Sequence, residues 1–235
     1  RSTNPSPRPD CPSSRHDGQG LSRLGQHYFL TGTDTDIGKT YAAVQLLTRW
    51  RQDGQRVSAM KPVASGCTRN AAGEWVNEDV ERLIAATGQT DRAAMNLYRF
   101  APAVSPHLAA QQAGEVIDLD RICTAFDALA AQADTVLVEG AGGWHTPLND
   151  HQDIGDLAQQ LGLPVVLVVG IRLGCINHAL LTAQAIAAAG LPLAGWVANQ
   201  LSPQPVAYAD TLARLRRTLP APLWLALPWT GETTV

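Results

Sequence analysis

The sequence predicts an α/β fold, a parallel β-sheet flanked by helices on both faces. From residue 27 onward, short β-branched or apolar runs alternate with longer helical patterns. Runs such as VVLVV at 165–169 are apolar at every position, which suits strands covered on both sides. The intervening helical stretches have the length that crossovers between parallel strands require.

The strands are predicted at 27–32, 57–62, 135–139, 164–170, 193–198 and 223–227, each a β-branched or apolar run. Helices are predicted near 39–52, 78–87, 118–132, 153–161, 176–189 and 206–218 from their 3.6-residue periodicity. In such sheets the site lies beyond the carboxyl ends of the strands. That rule singles out residues 33–40, 61–66, 139–143, 172–177 and 199–200, where glycines and polar residues gather.

Composition narrows the classes. The 235 residues are 45% hydrophobic and 17% charged, as in a globular chain, and the net charge of −3 gives no attraction to nucleic acid or to an anionic membrane. No apolar run reaches the length of a membrane span. Cys11, Cys67, Cys123 and Cys175 are dispersed, as reduced thiols of a cytoplasmic protein would be. Residues 1–26, rich in Ser, Pro, Arg and Gly, read as a disordered extension, leaving 27–235 as one domain.

The stretch GTDTDIGKT, residues 32–40, sits between the first strand and the first helix. Gly38 allows the backbone to pass close to an anion, and the first amides of the following helix point at it. Lys39 supplies a cation for terminal phosphates and Thr40 a hydroxyl for Mg²⁺. Five residues separate Gly32 from Gly38, where the usual nucleotide-loop pattern has four. The longer loop makes the side chains of Thr35 and Asp36 available beside the γ-phosphate, and Asp36 is expected to cap the helix. The fold class is therefore of the P-loop NTPase type.

Three further loops fit that chemistry. Lys61 stands at the carboxyl end of the second strand, is expected beside the phosphate loop on an adjacent strand, and would be a second cation for a transferring phosphoryl group. TVLVEGAGG, 135–143, delivers Glu139 at the tip of a buried strand, followed by glycines that permit close approach. Between these lie Glu74, Glu78, Asp79 and Glu81, among which spacing does not choose a metal partner. After the fourth strand, the amides near Cys175–Asn177 open a helix and form a second potential anion site. His107 and His178 read as surface or packing residues.

With these residues assembled, the chain resembles the dethiobiotin synthetase family. GTDTDIGKT, KPVASG, SPHLAA, VEGAGGW, LGCINHALLTAQ, LAGWVAN and PAPLWLALPW resemble family segments in family order over about residues 27–230. The five-residue spacing of the phosphate loop is the family's own form. The resemblance implies a homodimeric ATP-dependent cyclo-ligase that converts 7,8-diaminononanoate, CO₂ (or bicarbonate) and ATP to dethiobiotin, ADP and phosphate. It implies a carbamate and a carbamic-phosphoric anhydride on the way.

Residue by residue, the resemblance assigns Lys61, Lys39 and Thr35 to catalysis. Thr40, Asp79 and Glu139 become the Mg²⁺ sphere. Asp36, Ile37, Gly38, Tyr41, Gly140, Ala141 and Gly142 join the ATP site, with Asn199, Gln200, Pro228, Trp229 and Thr230 around the adenine. Ser65 and Ser105 line the substrate pocket, and Gly174, Cys175, Ile176 and Asn177 reach the substrate's distal carboxylate from the neighbouring subunit. Two departures, Asn199-Gln200 in place of a common Asn-Asp and an early stop at Val235, predict a weaker grip on the base. A partitioning ATPase would carry an extra lysine early in the loop; here that segment reads Thr33-Asp34-Thr35.

Overall fold

The computed structural model describes residues 26–205 and 207–231. The expected extension, but for residue 26, and the last four residues lie outside them. In chain order the elements are β1 (Tyr28–Gly32), α1 (Lys39–Gln52), β2 (Val57–Met60), β3 (Val63–Ala64), β4 (Thr68–Arg69), β5 (Trp75–Val76), α2 (Glu78–Thr87), α3 (Arg92–Met95) and β6 (Tyr98–Arg99). There follow α4 (Pro106–Ala113), α5 (Leu119–Ala130), β7 (Thr135–Gly143), α6 (Ile154–Leu161), β8 (Val165–Ile171), α7 (Cys175–Ala188), β9 (Leu193–Gln200), α8 (Tyr208–Thr218) and β10 (Leu223–Leu227).

Six strands form one parallel sheet in the order β10-β9-β8-β1-β7-β2. Alternation along each strand assigns its side chains to opposite faces. Leu30, Leu137, Val166 and Val168 pack with Ala42, Ala43, Leu46 and Leu47 of α1 and Leu83 of α2. On the other face Phe29, Val136, Val138 and Val165 meet α5 and α6 through Ile122, Phe126, Ile154 and Leu157. Leu167 and Val169 meet α7 and α8 through Ala179 and Leu215. The sheet is thus covered by helices on both sides, which is why its middle strands tolerate no polar alternation.

Every predicted strand and helix exists, and three corrections concern what lies between them. β7 does not stop at Glu139 but continues through the glycines to Gly143, with a register irregularity against β1 between Leu30 and Gly32. β2 is not adjacent to β1, because β7 lies between them; Lys61 therefore reaches the site across the tip of β7. The third correction is α4, together with α3 and the small pairs β3–β6 and β4–β5, none of which was expected. These pieces are too short to show a period, and Pro106 at the start of α4 resembles loop sequence as much as a helix opening.

His27, just ahead of β1, accepts the Val136 N–H at its Nδ1 (3.0 Å) and stands edge-on to Phe126. Burial lowers its pKa below the ordinary 6.5. The unfolded chain then takes up a proton first, so this contribution to stability is present above pH 6.5 and erodes as pH falls below it. His27→Gln is expected to flatten the loss of stability between pH 6.5 and 5, measured by urea unfolding. An unchanged slope would remove His27 from the acid response.

Candidate active site

The phosphate loop leaves β1 at the centre of the sheet, between the tips of β7 and β8. Asp36 and Gly38 both take left-handed backbone angles, with φ of 55° and 80°. Asp36 does not cap α1: Gly38 occupies the cap position and no side chain bonds the first amides, which stay open for an anion. Ile37 points away from the cavity into the sheet. It fills the space left by two glycines, since a Cβ on Gly32 or Gly170 would lie 2.7 Å and 2.9 Å from its side chain. Its carbonyl accepts Asn199 Nδ2 at 2.9 Å. The extra loop residue therefore comes with an anchor, made of β1 itself and of β8 and β9 on one side of it.

Asp34 ties the first half of the loop. Its Oδ1 accepts the Thr35 N–H (2.8 Å), its other oxygen pairs with Arg172, and its carbonyl accepts Lys39 Nζ (2.9 Å). Burial, set against the pull of Glu139, draws the Lys39 ammonium down to about 8. A bound triphosphate would restore its charge, so affinity for ATP should weaken as pH rises through 8. ATP binding at pH 9 is expected to take up a proton, read by calorimetry in two buffers of different ionisation enthalpy. Equal heats in both buffers would contradict the lowered value.

Across the tip of β7 lies a buried charge cluster. Lys61 Nζ donates to Glu139 Oε1 at 2.9 Å and is ion-paired with Asp79; the Thr40 hydroxyl donates to the same Glu139 oxygen at 2.7 Å. Burial alone would lower the Lys61 pKa, but the two carboxylates outweigh it and hold the ammonium charged. Asp79 loses from burial and gains more from Lys61, so its carboxyl is held below the usual range.

The structure separates the four acids that spacing could not. Glu74 takes a hydrogen bond from Asn70, Glu78 pairs with Arg82 and Glu81 with Arg92, whereas Asp79 alone turns to Lys61. Glu139 is 1% exposed and its Oε2 has no partner among the described residues, an orphaned acceptor that a cation would satisfy. With Thr40 and Asp79 it makes a hard-oxygen set suited to Mg²⁺, which keeps several of its own waters.

These groups line one cavity of about 1190 Å³. Thr35, Asp36, Gly38, Lys39, Thr40 and Tyr41 enter it from the loop, and Lys61, Ser65, Asp79 and Ser105 from the β2–α4 region. Glu139, Ala141 and Gly142 form its floor. The Ser65 hydroxyl is enclosed there without a partner among the described residues, and Ser105 Oγ stands 3.0 Å from the His107 ring. Gly140 serves packing, for a Cβ would stand 3.0 Å from Ile154 and 3.2 Å from Phe29.

The remaining expected residues stand outside this cavity's wall. Gly174–Asn177 form the turn and first residues of α7, beside a fully exposed Leu173. Gln200 Nε2 bonds the Ser202 carbonyl (2.8 Å), and Pro228–Thr230 follow β10 with Trp229 exposed. Sequence reasoning missed Asn96, whose Nδ2 donates to the Lys61 carbonyl at 2.7 Å and fixes the backbone there; nothing local marks it. It also missed the Trp144–Pro147 wall, which has no helical or strand period.

A family model described as an AAA domain matches residues 26–234. The ATP-dependent dethiobiotin synthetase BioD of Aromatoleum aromaticum is 52% identical over 204 residues, covering 86% of this chain and 89% of that protein. The chain belongs to the dethiobiotin synthetase family. BioD 1 of Escherichia coli K12 is 46% identical to this synthetase over 209 residues, 89% of this chain and 93% of that one. Among solved structures, a ParA family ATPase from Chlorobium tepidum has a TM-score of 0.54 at 13% identity, covering 91% and 89% of the two chains. The signal recognition particle receptor FtsY of Elizabethkingia anophelis has 0.51 at 16%; this synthetase spans 60% of its length. At those identities the likeness is one of fold alone.

Proposed function

We propose that this chain performs the Mg²⁺-dependent carboxylation and ring closure of 7,8-diaminononanoate with CO₂ and ATP, yielding dethiobiotin, ADP and phosphate. The observation that carries the proposal is the buried Lys61–Glu139–Asp79–Thr40 cluster facing Lys39 across one cavity.

One amine captures CO₂ as a carbamate, whose oxygen attacks the γ-phosphate; the second amine then closes the ring and expels phosphate. Little covalent chemistry falls to the protein, so its work is positioning and charge. The α1 amides and Lys39 hold the β- and γ-phosphates. Lys61 offsets charge on the transferring group. Thr40, Asp79 and Glu139 would hold Mg²⁺, which supplies neutralisation of the phosphate oxygens. Thr35, Ser65 and Ser105 supply hydroxyls along the reacting end of the diamine.

The acid end is assigned to the first amides of α7 from a second copy of the chain. The exposed Leu173 and Leu181 on that segment support a homodimer. The adenine is assigned to Asn199–Gln200 and Pro228–Thr230. Among the described residues no helix is long and apolar enough to cross a membrane. The test is ADP release from MgATP with and without diamine and bicarbonate, with dethiobiotin detected by mass. Release that requires both, with stoichiometric product, is expected; release indifferent to the diamine would sink the proposal.

A further inference from the structure

Resting on the synthetase reading, we propose that His145 is the base that removes the ammonium proton from the substrate's amines, with Asp153 as its positioning residue. The reaction poses the need. An aliphatic amine is largely protonated near neutral pH, its pKa being about 10, and an ammonium has no lone pair to offer CO₂. Each amine must lose one proton before its C–N bond forms.

His145 lines the same cavity as Thr35, Lys61 and Ser65. Its backbone is pinned on both sides: the Ile154 N–H donates to the Thr146 carbonyl (3.0 Å) and the Gly155 N–H to the Trp144 carbonyl (2.9 Å). Gly155 permits that approach, since a Cβ there would stand 2.8 Å from the Trp144 ring nitrogen. The imidazole Nδ1 stands 2.7 Å from Asp153 Oδ2. Asp153 is held in turn by a reciprocal cap, accepting the Asp156 N–H at 3.0 Å and donating its own N–H to Asp156 Oδ2 at 2.9 Å.

A carboxylate only accepts, so Nδ1 carries the hydrogen and Nε2 keeps its lone pair. Nε2 has no partner among the described residues. Asp153 and Asp156 are the charged groups behind the ring, and no lysine or arginine pairs with His145 or Asp153 among the described residues.

The other bases in the cavity are spent or weak, Lys39 being engaged with the Asp34 carbonyl and the phosphates it would hold. Glu139 and Asp79 are paired with Lys61, Asp34 with Arg172 and Glu78 with Arg82. Asp36 is a carboxylate, a much weaker base than an imidazole. The step balances: the ammonium proton moves to Nε2, the amine lone pair forms the C–N bond as one C=O π pair of CO₂ withdraws to oxygen, and the amine's second proton leaves to water to give the carbamate anion. In ring closure the second amine's bond forms as the C–O bond to phosphate breaks. The imidazolium, 73% exposed at its side chain, returns its proton to solvent.

The test compares wild type, His145→Gln, His145→Ala and Asp153→Asn in dethiobiotin formation from about pH 6.5 to 9.5. At pH 7, His145→Gln should lower kcat/KM for the diamine about a hundredfold, leaving KM for ATP unchanged. The deficit should close as pH approaches 9.5, where the amine sheds its proton unaided. Added imidazole should restore part of the His145→Ala rate. Asp153→Asn should show a smaller deficit of the same pH shape. A deficit equal at every pH, one carried by KM for ATP, or no deficit overturns the inference while leaving the synthetase reading intact. A wild type that forms no dethiobiotin overturns both.

Discussion

Lys61→Ala is expected to lower turnover by about 10²–10³-fold while changing KM for ATP far less. The reason is where its charge is needed. Lys39 and the open α1 amides can hold the ground-state phosphates, but charge on the transferring group grows in the transition state, when a second fixed ammonium counts most. The same change strips the cation from Glu139, buried at 1% exposure, and from Asp79 beside it. Removing one partner of a buried pair costs about 3 kcal/mol or more, so the metal-free variant should also unfold more readily, and Mg²⁺ should recover part of that loss. Steady-state kinetics with urea unfolding, with and without Mg²⁺, separates the two effects. Turnover equal to wild type would take Lys61 out of the chemistry.

Gly170→Ala should cripple nucleotide binding from beneath the loop. The added Cβ would stand 2.7 Å from Leu201 Cδ1 and 2.9 Å from Ile37 Cγ2. Ile37 is 1% exposed and its carbonyl is held by Asn199, so neither the side chain nor the loop yields freely. Overpacking of this kind costs about 1–3 kcal/mol. If about half of it falls on the loop geometry that ATP requires, affinity drops about two- to tenfold. Calorimetry of ATP binding checks this, and Ile37→Ala in the same background should restore part of the affinity. Unchanged affinity in Gly170→Ala would show that the loop is not seated on this glycine.

Much of this was legible one segment at a time. The phosphate loop announces itself because its chemistry is local: Gly38, Lys39 and Thr40 are consecutive and act through the first turn of the helix they begin. Glu139 is legible for a similar reason, as an acid that follows a run of apolar strand residues and precedes glycines marks where the strand meets the site, although the strand itself continues to Gly143. Asp36 as a cap was misjudged because the left-handed turn at Gly38 takes the cap position directly ahead of Lys39, and Asp36, two residues earlier, is itself in a left-handed turn. Asn96, His145 and Asp153 gave no local sign; each acts through a partner that the winding of the chain brings to it.

By itself the sequence determined the six sheet strands and the six longer helices, the parallel sheet and the loop suited to phosphate, because hydrophobic period and turn chemistry are written in neighbouring residues. The tertiary structure alone decided which acid meets Lys61, that β7 separates β2 from β1, and that Ile37 seats the loop on Gly32 and Gly170. Those outcomes depend on strand order and on contacts between residues far apart in the chain, and no local period encodes the order in which parallel strands are laid side by side.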